Sequence, residues 1–231
     1  MSASTHISVI IPVLNEPEDI ARLLAHLASL PADTVPEIIV VDGDPKGSTI
    51  NAVKQEGVVT ALSPAGRGPQ MNAGAEKASG DILLFLHADT FLPWNAFELI
   101  RRRMENGRCD AGAFDLGILS DRMIFRITER YAACRTRLTR VPFGDQAIFV
   151  RKEYFREIGG FRSIPIMEDV ELMSRIKKRG GRTCIIPEKV MTSARRWERD
   201  GIVRGTIRNW VLQILYCCGV PPERLARFYR P

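Results

Sequence analysis

The sequence of 231 residues contains no C-x-x-C pair, and its five cysteines, at 109, 134, 184, 217 and 218, are odd in number with two adjacent. That usage argues against a disulfide framework and a structural zinc site, and it fits free thiols in a reducing compartment. Neither G-x-G-x-x-G nor G-x-x-x-x-G-K-S/T occurs, which disfavours dinucleotide-binding and P-loop chemistry. No helix-turn-helix, zinc-finger or aromatic RNA-binding signature organises the basic charge, so nucleic acid is not an expected partner. The N-terminus shows no basic stretch followed by an apolar core of signal type, and a cytoplasmic location is expected. Repeats and low-complexity tracts are absent, and the hydrophobic and charged fractions, 45% and 26%, are those of an ordinary globular chain. At this length one domain, residues 1–231, is expected.

What is present is unevenly distributed. Residues 1–94 hold 5 basic and 11 acidic side chains, net −6, so the formal +6 of the whole chain leaves +12 for residues 95–231. The two parts therefore face different partners. Of the 33 basic residues 26 are arginine, whose planar fork suits phosphate and diphosphate oxygens.

The chain is organised around DILLFLHADT, residues 81–90. Five large apolar residues from Ile82 to Leu86 do not alternate, so both faces of this strand must be covered, as in a parallel sheet between helices. In such sheets ligands bind beyond the carboxyl ends of the strands, where Asp89 lies. A turn or capping aspartate is the plainer alternative. ISVIIPV (7–13) and EIIVVDG (37–43) repeat the pattern, the second ending in Asp42, which could bind a ribose or a base edge or be a loop aspartate. Helices are expected from about Asp19, from about Ser48, from Gly66 and over 94–105, and a short strand over 58–62. Strands alternating with helices predict a mainly parallel central sheet with right-handed crossovers.

Beyond residue 105 the spacing predicts a strand over 111–118, a helix over 120–140, a polar loop 144–146 feeding a short strand, a helix over 152–161 and a helix beginning at Glu168-Asp169. The 120–140 helix carries Arg122, Arg126 and Arg130 beside a stripe of Met123, Ile127 and Tyr131. A solvated basic face over a core-facing stripe is the plain reading, and contact with an anionic lipid head group the sharper one. Glu168 and Asp169 either complement the positive helix end or hold a carboxylate rigidly enough to accept a proton from a substrate hydroxyl. The segments 182–187 and 190–197 precede a final helix over about 201–218, which Arg204, Arg208 and Asn209 make unsuitable for spanning a bilayer. Residues 195–231 hold eight Arg and three acids, net +5, so peripheral contact with the inner face of a membrane is a further expectation.

Six stretches, SVIIPVLNE, VVDGDPKGST, RGPQMNAGAEKASGD, LLFLHAD, GDQAIFVRKEYFREIGGF and MEDVELMSRIKKRG, resemble in order and spacing the family 2 glycosyltransferases. HADT with the terminal TSARRWERDGIVRGTIRNW stretch looks like the branch called "transferase 2, rSAM/selenodomain-associated". The resemblance implies an α/β fold of the GT-A type with a helical C-terminal segment, residues 1–94 forming the nucleotide-binding half and 95–231 the acceptor half. It further implies transfer of a sugar from a nucleotide-diphospho-sugar, with UDP foremost, to an acceptor hydroxyl that is lipid-linked in the sharper reading. Pro12, Asn15, Glu16, Asp42 and Arg67 would line the nucleotide pocket. Asp89 matches the last Asp of the family's D-x-D motif, which ligates a divalent metal, Mn²⁺ or Mg²⁺. Asp169, with Glu168 beside it, matches the catalytic base of an inverting single displacement. Asp145, Arg195, Arg196 and Trp197 would stand near the diphosphate or the acceptor.

Two positions depart from the pattern. His87 replaces the first Asp of D-x-D, and Ser193 replaces the Gln of Q-x-x-R-W. A neutral imidazole does not supply the charge of a carboxylate, and no histidine follows His87. Arg195 or Arg196 could share the neutralising role. A sugar nucleotidyltransferase and a non-catalytic nucleotide-sugar-binding protein are the competing functions. The first would carry a glycine-rich basic loop after the first strand, which is absent.

Overall fold

The computed structural model describes residues 5–31, 36–195, 198 and 201–228. Its centre is one eight-stranded sheet. The first half supplies β1 (Ile7–Val13), β2 (Glu37–Asp42), β3 (Val58–Leu62) and β4 (Ile82–Phe85), with α1 (Pro17–Ser29) and α2 (Arg67–Lys77) as connections. These four strands are mutually parallel in the order β3-β2-β1-β4. Side chains of β1 and β4 go alternately to the two faces. Ile7, Val9, Ile11, Ile82, Leu84 and Leu86 join one core layer, while Ile10, Leu83 and Phe85 join the other. Covering both faces is what the unbroken apolar runs required.

Beyond β4 lie β5 (Thr90–Phe91), α3 (Ala96–Met104), β6 (Ala111–Leu119), α4 (Met123–Thr139), β7 (Phe149–Arg151), α5 (Lys152–Glu157), α6 (Glu168–Lys178) and β8 (Thr183–Ser193). The sheet continues β4-β7-β6-β8-β5. β7 runs antiparallel to both β4 and β6, β8 is parallel to β6, and β5 is antiparallel to β8. Four of these seven pairings are thus parallel, so the second half makes the sheet mixed. α7 (Ile202–Cys217) and α8 (Pro222–Ala226) close the chain around Ile166, Leu212 and Leu225. Among the described residues no helix is long and apolar enough to cross a membrane.

Several elements differ from the sequence expectation. The helix expected from about Ser48 is only a 3-10 turn, Ile50–Ala52. The Asp42 carboxylate accepts the N–H groups of Thr49 and Ile50, at 2.7 and 3.1 Å, which caps the start of this turn, and the turn ends where Val53 is extended with ψ 109°. The segments 182–187 and 190–197 are largely one strand, β8, interrupted by a bulge opposite Phe114 and Asp115 where Pro187 can sit without donating to the ladder. The Met123, Ile127 and Tyr131 stripe of α4 does not face the core. The inward positions are Phe125, Glu129, Ala132 and Thr136, because the Glu129 carboxylate accepts the Ile118 N–H at 2.8 Å and the Lys189 ammonium at 2.7 Å.

Two packing details fix the rim of the parallel block. Gly74 of α2 lies so close to β1 that a Cβ there would meet Ile10 at 2.4 Å. One turn earlier, the buried Gln70 amide donates through Nε2 to the carbonyls of Val13 and Val41, at 2.7 and 2.8 Å. It thereby ties the ends of β1 and β2 together. Removing that amide takes a donor from the Val41 carbonyl, at about 1–3 kcal/mol, while the Val13 carbonyl keeps the Gly43 N–H at 2.9 Å. Gln70→Leu should therefore lower unfolding free energy by about 1–3 kcal/mol in urea titration; a loss below about 0.5 kcal/mol would mean that the strand ends are held by other contacts.

Candidate active site

The site is built where β1, β2 and β4 end. Pro12 is buried and stands two residues beyond Ile10, the last β1 residue paired with β4. Its missing N–H falls on that open side and costs no ladder bond. The chain then turns through Asn15, whose φ of 55° is left-handed and whose Oδ1 accepts the Ser48 hydroxyl at 2.8 Å. Glu16 follows, its N–H donating to Thr49 Oγ1 at 3.1 Å and its carboxylate accepting the Leu14 N–H at 3.3 Å. Burial pushes the Glu16 carboxyl above the usual range, and Asp89 and Asp19 add to the rise while Arg67 opposes it. These four charges therefore share one neighbourhood.

Asp42 is fully buried, and its oxygens accept the N–H groups of Thr49, Ile50 and Asp44. Its carboxylate shapes the loop from within. Asp44 stands nearer the surface, holding the Lys46 and Ser48 N–H groups.

Asp89 sits on the short link between β4 and β5. Pairing of β5 with β8 fixes that link, and the Asp89 carbonyl also accepts the Ser193 N–H at 3.1 Å. The end of β8 delivers Arg195, which donates to Asp19 Oδ2 at 2.5 Å. This hydrogen bond is the main cause that holds the Arg195 guanidinium above its ordinary pKa, with Asp89 and Glu16 adding to it. Arg196 and Trp197 lie outside the described residues.

The opposite wall comes from the second half of the chain. A 3-10 turn, Gly144–Gln146, carries Asp145. Burial raises the Asp145 carboxyl to about 6, with Arg135 lowering it, Asp169 and Asp89 raising it and Arg67 lowering it. Its Oδ1 is buried without a hydrogen-bond partner. α6 begins after Met167, a left-handed residue with φ 65°. Ala147, with φ 49°, is after Asn15 and Met167 a third such residue beside the site; strain of this kind costs about 1–3 kcal/mol and collects where geometry is functional. Asp169 accepts the Gly144 N–H at 2.5 Å and the Val170 N–H at 2.7 Å. Glu168 is buried, and desolvation, with Asp169 beside it, pushes its carboxyl up to about 7 while Arg67 opposes the shift.

The fold thus brings Glu16, Asp89, Asp145, Glu168, Asp169, Arg67 and Arg195 to one cleft, and leaves Asp42 beneath it. Two further contributors join this cleft: Arg135, which the sequence did not mark, and His87, which it marked only as a departure from the D-x-D pattern. His87 and Asp169 flank the same point beside Gly144, where a Cβ would lie 3.0 Å from His87 Nε2 and 3.2 Å from Asp169 Oδ2. Arg135, on α4, lies over the Phe143 ring and bonds Gln146 Oε1 at 3.0 Å, with Asp145 and Asp169 in electrostatic reach. A cavity of about 60 Å³ opens beside Asp145 and is lined by Tyr131, Arg135, Phe143, Asn209 and Trp210 among others. No signal in the sequence marks Arg135, because it comes within reach of Asp145 and Asp169 only through the fold. Among the described residues no three His, Cys, Asp or Glu side chains are grouped so as to hold a metal ion unaided. Asp89 is an oxygen donor of the kind that binds a hard cation jointly with substrate phosphates, so a shared metal fits this donor set and a protein-only cage does not.

The family model for glycosyl transferase family 2 matches residues 8–162, more than half of the chain. The chain belongs to glycosyl transferase family 2. A relative from Sulfolobus acidocaldarius described as a probable glycosyltransferase is 25% identical over an alignment 207 residues long that covers 77% of this family 2 chain and 43% of the relative. The mannosyltransferase PcManGT from Pyrobaculum calidifontis, solved with GDP-Man and Mn²⁺, superposes with a TM-score of 0.64 at 19% identity, covering 82% of this chain and 57% of that one. TarS 1-349 of S. aureus with UDP-GlcNAc gives 0.62 at 18% identity, covering 81% and 58%. The α/β fold of GT-A type expected from the sequence is the fold found. The family 2 chain spans roughly half the length of these relatives, and the narrower branch rests on the likeness of its terminal stretch alone.

The acid pair of this glycosyl transferase family 2 chain has a pH signature. Carboxyls raised from 4.5 to about 7 (Glu168) and from 3.8 to about 6 (Asp145) keep protons in the native state that the unfolded chain releases. Between those values stability falls as pH rises. Melting temperature should therefore drop from pH 5 to pH 8. Glu168→Gln should flatten part of that slope and stabilise the protein at pH 8 by on the order of 1–3 kcal/mol; an unaltered slope would assign the proton to another group.

Proposed function

We propose that this chain transfers a sugar from a nucleotide-diphospho-sugar, a UDP-sugar first among the candidates, to an acceptor hydroxyl with inversion at the anomeric carbon. The observation that carries the reading is the meeting of two walls in one cleft. Asp89 and Glu16 come from the strand ends of the nucleotide half, Asp169 and Asp145 come from the acceptor half, and Arg195 reaches across from the end of β8 to Asp19. In the displacement the acceptor oxygen bonds to the anomeric carbon as the bond to the diphosphate oxygen breaks. The diphosphate leaves with the electron pair, and the acceptor proton passes to Asp169.

Asn15, Glu16 and the loop shaped by Asp42 are proposed to receive the nucleotide, with Pro12 behind them and Arg67 facing it. Arg195 is proposed to stand by the diphosphate, where charge develops. A divalent Mn²⁺ or Mg²⁺ held by Asp89 and the phosphates would supply neutralisation of the leaving group. Glu168, whose carboxyl is raised to about 7 and so stays partly protonated near neutrality, limits the negative charge packed beside Asp169. The cavity next to Asp145 suits an acceptor rich in hydroxyls, since it joins aromatic faces to a carboxylate and an amide. A cytoplasmic site working on an acceptor held at a membrane surface is the reading that the basic second half supports.

Released nucleoside diphosphate from a panel of UDP-, GDP- and dTDP-sugars tests the proposal. Binding without release would favour a non-catalytic nucleotide-sugar-binding protein, and formation of a nucleoside triphosphate from pyrophosphate a nucleotidyltransferase. Asp169→Asn should keep donor affinity in calorimetry but lose about 10²–10⁴ in single-turnover transfer; weakened donor binding with normal turnover would move Asp169 to the nucleotide pocket. UDP should raise the melting temperature further when Mn²⁺ is added. Asp89→Asn should abolish most of that metal-dependent increment, and an unchanged increment would remove Asp89 as a ligand.

A further inference from the structure

Beside its buried Leu212, α7 turns polar side chains inward and apolar ones outward. Its polar residues Thr206, Asn209 and Gln213 face the cavity shared with α4, while Ile207 and Ile214 on its outer face are 52% and 62% exposed. α4 adds Met123 and Ile127, 74% and 61% exposed. Tyr131 and Trp210 join the two helices, their ring centroids 4.5 Å apart. The two outward stripes therefore lie side by side, and an apolar face of this extent on a soluble surface marks an interaction site.

Charge decides what covers it. The sole acid of the two helices is Glu129, which is turned inward and bonded to Lys189 and the Ile118 N–H. Arg122 and Arg130 are exposed on α4 and at its start. A second copy of the chain docked face to face would set this basic rim against itself. An anionic bilayer surface satisfies both halves of the pattern: aliphatic side chains enter the acyl boundary, the aromatic pair sits at the level of the head groups, and arginines contact lipid phosphates.

We propose that the exposed face of α4 and α7 docks on anionic lipid and holds the adjoining cavity, and with it Asp145, at the membrane surface. Ile207, Ile214, Arg122 and Arg130 line neither the cavity nor the cleft, so turnover with soluble substrates does not depend on them.

Flotation of the whole chain with vesicles of phosphatidylglycerol and phosphatidylcholine, against phosphatidylcholine alone, tests this. The protein should float with the anionic vesicles and dissociate as salt is raised. Ile207→Glu combined with Ile214→Glu should reduce the bound fraction about tenfold, and Arg122→Glu combined with Arg130→Glu should do likewise. Both pairs are at the surface, and unchanged melting curves should accompany the loss. Failure to float with anionic vesicles, or flotation unaltered in both variants, would overturn the proposal. So would sedimentation showing a lipid-free dimer that the isoleucine variant dissociates, since the face would then be a protein interface.

Discussion

Burial of β1 and β4 on both faces is the constraint from which the rest of the structure follows. Strands whose side chains are consumed by two core layers have nowhere to display polar groups except at their ends. Pro12, Asn15, Glu16 and Asp89 are therefore collected at one rim. Gln70 fixes how far apart the ends of β1 and β2 stand, because one buried amide nitrogen is shared between a carbonyl of each strand.

That rim is crowded with acids, and the crowding is unfavourable for the protein alone. Glu16, Asp145 and Glu168 all hold their protons more tightly than an exposed carboxyl, with desolvation the first cause in each case. Arg67, Arg135 and Arg195 offset part of the charge. The left-handed Met167 and Ala147 add local backbone strain. Such an arrangement gathers perturbed carboxyls in one cleft at a cost in stability, as functional sites commonly do.

The mixed second half of the sheet gives the cleft its other wall. β8 pairs with β6 on one side and β5 on the other, so a strand remote in sequence braces the Asp89 link and carries Arg195 to Asp19. The antiparallel β7 joins this half directly to β4, so the turn bearing Asp145 lies against the parallel block.

The sequence by itself determined the alternation of strands and helices, the two-sided burial of three strands and the carboxylates at their ends, since hydrophobic periodicity and turn chemistry are local. It also determined family membership through six motifs in register. Only the tertiary structure decided which carboxylates reach the cleft. Asp42 turns inward because the loop after it offers three backbone N–H groups, and His87 and Asp169 are neighbours of one point because both flank the Gly144 turn, whose N–H Asp169 accepts. It likewise decided which stripe of α4 is buried, where the bonding of Glu129 to β6 and β8 overrides the more apolar neighbouring stripe. Such contacts join residues far apart along the chain and depend on packing geometry, which periodicity does not encode.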